Sequence, residues 1–199
     1  MHGPAAHEPT MANPAHRRPT YADIEALPEG VNGEILGGEL VVSPRPAPRH
    51  AYTASKLGGL LIGPFADGIG GPGGWWILDE PELSLDVDPD FDPVIPDLAG
   101  WTRATMPELP TTAQFPLVPD WVCEVLSPST ATHDRSLKLP YYARAGVGHA
   151  WLVDPIARTV EVFALQGGRW VLLHVASKDQ VVALEPFEAV KLKLGRLWA

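Results

Sequence analysis

Two carboxylates and one amine are of the types that metal-assisted phosphodiester hydrolysis would use. Asp97 follows Pro96 in a β-prone stretch, Glu124 sits inside Asp120-Trp121-Val122-Cys123-Glu124-Val125-Leu126-Ser127-Pro128-Ser129, and Lys138 comes from the helical segment that follows. A charge in an apolar strand is strongly disfavoured unless a partner or a metal compensates it. Two carboxylates brought to one end of a sheet repel each other unless a hard divalent cation lies between them. Mg²⁺ typically takes one or two carboxylates, waters and phosphate oxygens. Such a cation lowers the pKa of bound water and neutralises charge on a phosphodiester in the transition state. A lysine could orient the attacking water or stabilise the pentacovalent phosphorus. Lys138, with Arg135 before it and Tyr142 after it, also reads as a plain surface cation of its helix, or as a buried partner that satisfies Glu124 without any metal.

These residues need a sheet to hold them. Side chains alternate faces along a strand, so Glu124 shares a face with Val122 and Leu126 while Trp121, Cys123 and Val125 point the other way. Both faces are apolar, which predicts a buried strand. Residues 75–78, 82–87 and 95–101 are three further strands; within 82–87 the alternation is strict, with Leu83, Leu85 and Val87 on one face. Pro96 belongs at a strand start or an edge, so Asp97 enters the sheet near its end. Residues 130–146 are helical in composition, with Pro140 kinking the helix or starting a second one. Residues 150–154 form another buried strand, and the helix between it and the Glu124 strand permits a parallel βαβ crossover. Hairpins are predicted around Gly37-Gly38 and around Gln166-Gly167-Gly168. A capped helix spans 20–27, a second runs from about 49 to 62 with His50 near its start, and the tail 189–198 offers a last strand. The glycine-rich loop 68–74 lacks the Gly-Lys-Ser/Thr ending of a phosphate-binding loop.

The 199 residues suit one domain over 20–199 behind a Pro- and His-rich disordered leader over 1–19. No run approaches the roughly eighteen apolar residues of a membrane span, and no signal peptide is legible, so a cytoplasmic location is expected. The single cysteine, Cys123, excludes an internal disulfide and a Cys-based zinc cluster, and mid-strand it reads as a core residue. The net charge of −9 is concentrated, because residues 57–102 carry nine acids and no Lys or Arg. The Asp88–Asp90–Asp92 part of that block reads either as a solvated loop or as a cation site. Tight metal-free binding of a polyanion is not what this distribution suggests.

Four pieces of the chain carry a resemblance. They are Glu34-Ile35-Leu36-Gly37-Gly38-Glu39-Leu40-Val41-Val42-Ser43-Pro44 followed by His50; Ile95-Pro96-Asp97-Leu98; the Asp120–Ser129 stretch; and Lys138-Leu139-Pro140-Tyr141-Tyr142-Ala143-Arg144-Ala145-Gly146-Val147 running into Trp151-Leu152-Val153-Asp154-Pro155. Over residues 21–173 the chain resembles the Uma-two family of restriction-endonuclease-like proteins, in the PD-(D/E)XK nuclease superfamily. The resemblance implies a mixed α/β fold, a restriction-endonuclease-like central mixed β-sheet flanked by helices, here with added hairpins. It implies Mg²⁺-dependent hydrolysis of DNA, with Mn²⁺ as a substitute, and a homodimer. Asp97, Glu124 and Lys138 would be catalytic, with Glu39, or failing it Glu34, as an additional acid. Asp97 and Glu124 would be metal ligands together with Glu82, whose strand is expected beside that of Asp97. His50 would orient a phosphate or cap its helix, and Arg135 and Tyr142 would be substrate contacts. The superfamily lysine two residues after the Glu is absent, that position being Leu126; Lys138 would replace it. No organic cofactor and no membrane partner are expected. The alternative, favoured by Leu126 and the acidic centre, is a catalytically degenerate nuclease fold that binds nucleic acid or protein.

Overall fold

A computed structural model describes residues 17–43 and 45–199, so the leader expected over 1–19 lies, through residue 16, outside the described residues. The first helix, α1 (Tyr21–Glu25), starts where the sequence places it: Asp23 accepts the Thr20 backbone N–H at 2.7 Å, satisfying a donor the helix leaves free. The hairpin of β1 (Gly33–Leu36) and β2 (Glu39–Val42) turns on Gly37 and Gly38, both at positive φ (62° and 77°). Helix α2 (Pro48–Leu61) has proline in its first turn and runs into a π turn (Ile62–Ala66). Then come β3 (Trp75–Asp79), β4 (Glu82–Leu83), β5 (Leu98–Thr102), β6 (Gln114–Phe115) and β7 (Trp121–Val125). The crossover helix has three pieces: α3 (Ala131–His133), a π segment (Asp134–Lys138) and α4 (Leu139–Ala145), capped by Gly146 at φ 89°. Strands β8 (His149–Asp154), β9 (Thr159–Gln166), β10 (Arg169–Ser177), β11 (Val181–Val182) and β12 (Leu192–Lys193) complete the chain, with a short 3-10 turn (Leu194–Arg196).

Six strands form one mixed sheet in the order β10-β9-β8-β7-β5-β3. Only β7 and β8 are parallel, joined by the crossover helix as the sequence predicts; the other neighbours are antiparallel. The alternation read along β7 holds. Trp121, Cys123 and Val125 pack with Leu57, Leu61 and Phe65 of the α2 layer and with Leu184, Phe187 and Leu197 from the C-terminal segment. Val122 faces Tyr141 and Tyr142 of α4, with Leu83, Phe91 and Val94 beneath the acidic loop. Phe187 seats its ring among Phe65, Trp75, Trp121 and Trp151, at centroid distances of 4.7 to 5.7 Å.

Three expectations change. The strand over 82–87 shortens to Glu82–Leu83, because Asp86 turns the backbone to φ 50° and leaves Val87 exposed. That strand pairs in parallel with β6 rather than with β5. The tail forms only the short β12, paired with β11 outside the central sheet. At Pro140 a second α-helical piece begins, as the sequence predicts: α4 starts at Leu139 with the proline in its first turn. The π segment opens the backbone just ahead of it, so the missing N–H falls where an α-helical bond is already interrupted.

Candidate active site

Strand register builds the site. In the β5–β7 pairing Leu98 lies opposite Cys123, so the next residues outward, Asp97 and Glu124, face each other at one end of the sheet. The Val125 N–H donates to Asp97 Oδ2 at 2.6 Å and locks that corner. On the other side Asp79 pairs with Leu98, which sets Glu80 opposite Asp97, and the Glu80 N–H donates to the Asp97 carbonyl at 3.1 Å. Glu80 takes φ 45°, a left-handed conformation that an L-residue adopts at a free-energy cost and that clusters at functional sites. From the hairpin, Glu34 Oε1 accepts the Ile95 N–H at 2.7 Å. From α2, His50 Nε2 stands 3.1 Å from Asp97 Oδ1.

The crossover helix supplies the remaining groups. Lys138 Nζ donates to the Ile95 carbonyl at 2.6 Å and lies 3.1 Å from Glu34 Oε1 and 3.3 Å from Glu124 Oε2. Four residues on, the Tyr142 hydroxyl donates to Glu124 Oε1 at 2.6 Å. Both oxygens of Glu124, 3% exposed, are therefore engaged from one helix face. These groups line a cleft of about 850 Å³ whose acids are Glu34, Glu80, Asp97, Glu124 and Asp134. Its rim carries Arg45 and the hydroxyls of Ser127, Ser129 and Thr130.

Negative charge exceeds positive in this cleft, with five acids lining it against Lys138, Arg45 and His50. Burial raises the Glu124 carboxyl well above its ordinary range, and Asp134 and Asp97 add to the rise while Lys138 and Tyr142 oppose it. Burial likewise pushes Asp134, 3% exposed, up to about 6. Burial alone would lower the Lys138 ammonium, yet the surrounding Glu124, Glu34, Asp134 and Asp97 outweigh it and hold the lysine charged. His50 behaves in the same way on a smaller scale. Desolvation is its largest single influence, but the contact with Asp97 leaves it raised overall.

Asp97, Glu124 and Lys138 thus stand together, and other expected residues sit differently. Glu39 is exposed at the start of β2 and does not line the cleft; Glu34, the less favoured acid of the hairpin, does. Glu82 is not beside Asp97, because β5 pairs with β3 and β7; its carboxylate accepts the Tyr21 hydroxyl at 3.0 Å, and the acid opposite Asp97 is Glu80. Arg135 turns outward into a two-point contact with Glu161 at 2.7 and 3.1 Å. Tyr142 is fully buried, so it holds Glu124 rather than reaching a substrate. His50 is neither a helix cap nor free, being engaged by Asp97. Sequence reasoning missed Asp134 and Glu80. Asp134 was within reach, since Asp134, Lys138 and Tyr142 recur at helical spacing. Glu80 carries no such signal, because only the β3–β5 register brings it in.

Among the described residues, no three His, Cys, Asp or Glu side chains stand close enough to hold a metal as they are oriented. The donor set nonetheless fits a hard divalent cation. It consists of carboxylate oxygens, and the burial-raised Glu124 and Asp134 are acids short of positive charge.

The family model described as "Uma2: Putative restriction endonuclease" matches residues 18–195. Among solved structures, a chain from Anabaena variabilis ATCC 29413, described as "a putative nuclease belonging to DUF820", is similar with a TM-score of 0.69 and 21% identity. The match covers 89% of this chain and 96% of that one, and bears on the fold, a six-stranded mixed sheet flanked by helices. No curated protein matches the chain.

Proposed function

The chain belongs to the Uma2 family, and from that membership we propose that it is a divalent-metal-dependent endonuclease that hydrolyses DNA phosphodiester bonds. Asp97 and Glu124 would hold the cation, Mg²⁺ by the hardness of the donors, with Mn²⁺ as a substitute. When bound, that ion supplies an activated water and neutralises charge at the phosphoryl group. The other roles belong to the chain. The Val125 N–H and His50 orient Asp97, Tyr142 orients Glu124, and Glu34 fixes Lys138 so that its ammonium faces charge developing on the phosphoryl oxygens. A DNA phosphate entering so acidic a cleft needs cationic help, and Arg45, which lines the cleft, would contact the backbone.

The observation that carries this reading is Lys138. Position 126, where the superfamily has its lysine, is a buried leucine, and an ammonium from the neighbouring helix reaches Glu124 at 3.3 Å instead. A homodimer is the assembly we take from the family resemblance. The long outer strand β10, with exposed Leu172 and Val175 and no strand on its far side among the described residues, offers it an edge.

Calorimetric titration with Mn²⁺ tests the site. The protein should bind Mn²⁺ at millimolar concentration or below, and Asp97→Asn and Glu124→Gln should bind it at least tenfold more weakly. Absence of binding at millimolar metal refutes the proposal. The second reading, a degenerate site that binds nucleic acid or protein without cleaving, draws on the engagement of both Glu124 oxygens by Lys138 and Tyr142. It requires DNA binding without cleavage in saturating Mn²⁺.

A further inference from the structure

Hydrolysis at phosphorus needs a group to take the proton of the attacking water, and the contacts of the cleft leave few groups free to do so. Lys138 makes three contacts and stays charged, so it donates and does not accept. Glu34 is held by the Ile95 N–H and by Lys138, and Asp97 by the Val125 N–H and His50. Glu124 is held by Tyr142 and Lys138. His50 has Nε2 on Asp97 and its Nδ1 buried without a partner, so neither nitrogen is presented to a water in the cleft. Glu80 lines the cleft as well, but it is exposed, so its carboxyl is solvated rather than held inside the cleft. Asp134 differs from all of these. It lines the cleft, is 3% exposed, and among the described residues no cation lies within ion-pairing distance of its carboxyl; the Thr130 hydroxyl of its own turn lies beside it.

We propose that Asp134 is a further catalytic residue of this site, the general base that accepts the proton of the attacking water. The proposal rests on the nuclease reading above. In the step, the water oxygen forms a bond to phosphorus while its O–H bond breaks and the proton passes to the Asp134 carboxylate. The opposite P–O ester bond breaks, its electron pair leaves with the departing alkoxide, and that alkoxide takes a proton from solvent. Asp134 then returns its proton to solvent, so the cycle closes without oxidant or reductant.

Local geometry supports the assignment. Asp134 and Lys138 open and close one π segment, an insertion that occurs frequently at functional sites, and both are buried while Arg135 between them faces solvent. A carboxyl pushed up to about 6 also suits a base working near neutrality. The charged and titratable groups that act on it are Lys138 and Arg135 on its own segment, Tyr142 on α4, His50 on α2, Glu34 from β1, Asp97 beside β5 and Glu124 on β7.

The test compares wild type, Asp134→Asn and Asp134→Glu in plasmid cleavage with Mn²⁺ across pH, beside Mn²⁺ calorimetry on the same proteins. Asp134→Asn should keep its Mn²⁺ affinity within about twofold while kcat falls by about a hundred- to ten-thousandfold, the usual range for a lost general base. The acidic limb of the kcat profile near pH 6 should disappear with it, and Asp134→Glu should recover part of the rate. A loss of Mn²⁺ affinity that parallels the loss of rate would make Asp134 a metal ligand and overturn the assignment, as would an unchanged kcat. Wild type that binds Mn²⁺ and cleaves nothing overturns the nuclease reading itself, and the base with it. Wild type that cleaves beside an equally active Asp134→Asn overturns the base alone.

Discussion

Replacing Lys138 with methionine removes one ammonium and leaves most of the side-chain volume. The wild-type ammonium is shared by Glu34 Oε1 at 3.1 Å, Glu124 Oε2 at 3.3 Å and the Ile95 carbonyl at 2.6 Å. With its partner gone, Glu124 becomes a buried charge held only by Tyr142, and breaking a buried pair from one side destabilises by about 3–5 kcal/mol. The pH dependence follows from the direction of the shifts. Glu124 and Asp134 are already raised in the folded state, and Lys138 is the largest influence holding both down, so Lys138→Met raises them further. A folded-state pKa above the unfolded one means that the native protein binds more protons, so stability falls as pH rises from the ordinary carboxylate range through the raised values. Below that window both acids are neutral in either state and the penalty shrinks. Urea unfolding should therefore show Lys138→Met weaker than wild type by about 3–5 kcal/mol at about pH 8 and by less than half of that at about pH 5. Equal stability at pH 8, or an equal loss at both pH values, would refute the argument that Lys138 compensates buried acids.

Other outcomes follow from the same contacts. Tyr142→Phe takes the donor from Glu124 Oε1, which should destabilise by about 1–3 kcal/mol in urea unfolding and weaken Mn²⁺ binding at neutral pH by raising the carboxyl further. Glu39→Ala should leave stability and Mn²⁺ affinity unchanged, whereas Glu34→Ala frees the half-buried Ile95 N–H and one side of Lys138 and should lower the denaturation midpoint. Glu80→Gly removes the strain of φ 45° and should raise stability by up to about 1 kcal/mol, read by the same unfolding assay.

Much of this architecture is legible in the residues, for identifiable reasons. The Glu124 strand declares itself by apolar residues on both faces, and the hairpins by Gly-Gly pairs that tolerate positive φ. The crossover follows from a helix-length segment between two buried strands. Strand partnership is less accessible, because local alternation does not reveal which strand a segment joins. The run from Glu82 alternates strictly, yet Asp86 ends it and its short remnant pairs with Gln114–Phe115, far along the chain. That one pairing moves Glu82 out of the cleft and leaves Glu80 in it. Side-chain direction also escapes spacing arguments. Arg135 and Lys138 are three residues apart on one helix, and one reaches Glu161 at the surface while the other is buried on Glu124. Asp134 is the first of three residues at four-residue spacing, a helical signal weakened by Ser127, Ser129, Thr130 and Thr132 ahead of it.

Plasmid cleavage decides most directly whether Asp97 and Glu124 form a metal-dependent hydrolytic site. Supercoiled plasmid incubated with the 199-residue chain and Mg²⁺ or Mn²⁺ should be nicked or linearised, and EDTA should stop the reaction. Asp97→Asn and Glu124→Gln, which preserve side-chain size, should lose the activity while keeping the wild-type circular dichroism spectrum. Cleavage that survives both substitutions undiminished, or that proceeds in EDTA, would contradict such a site.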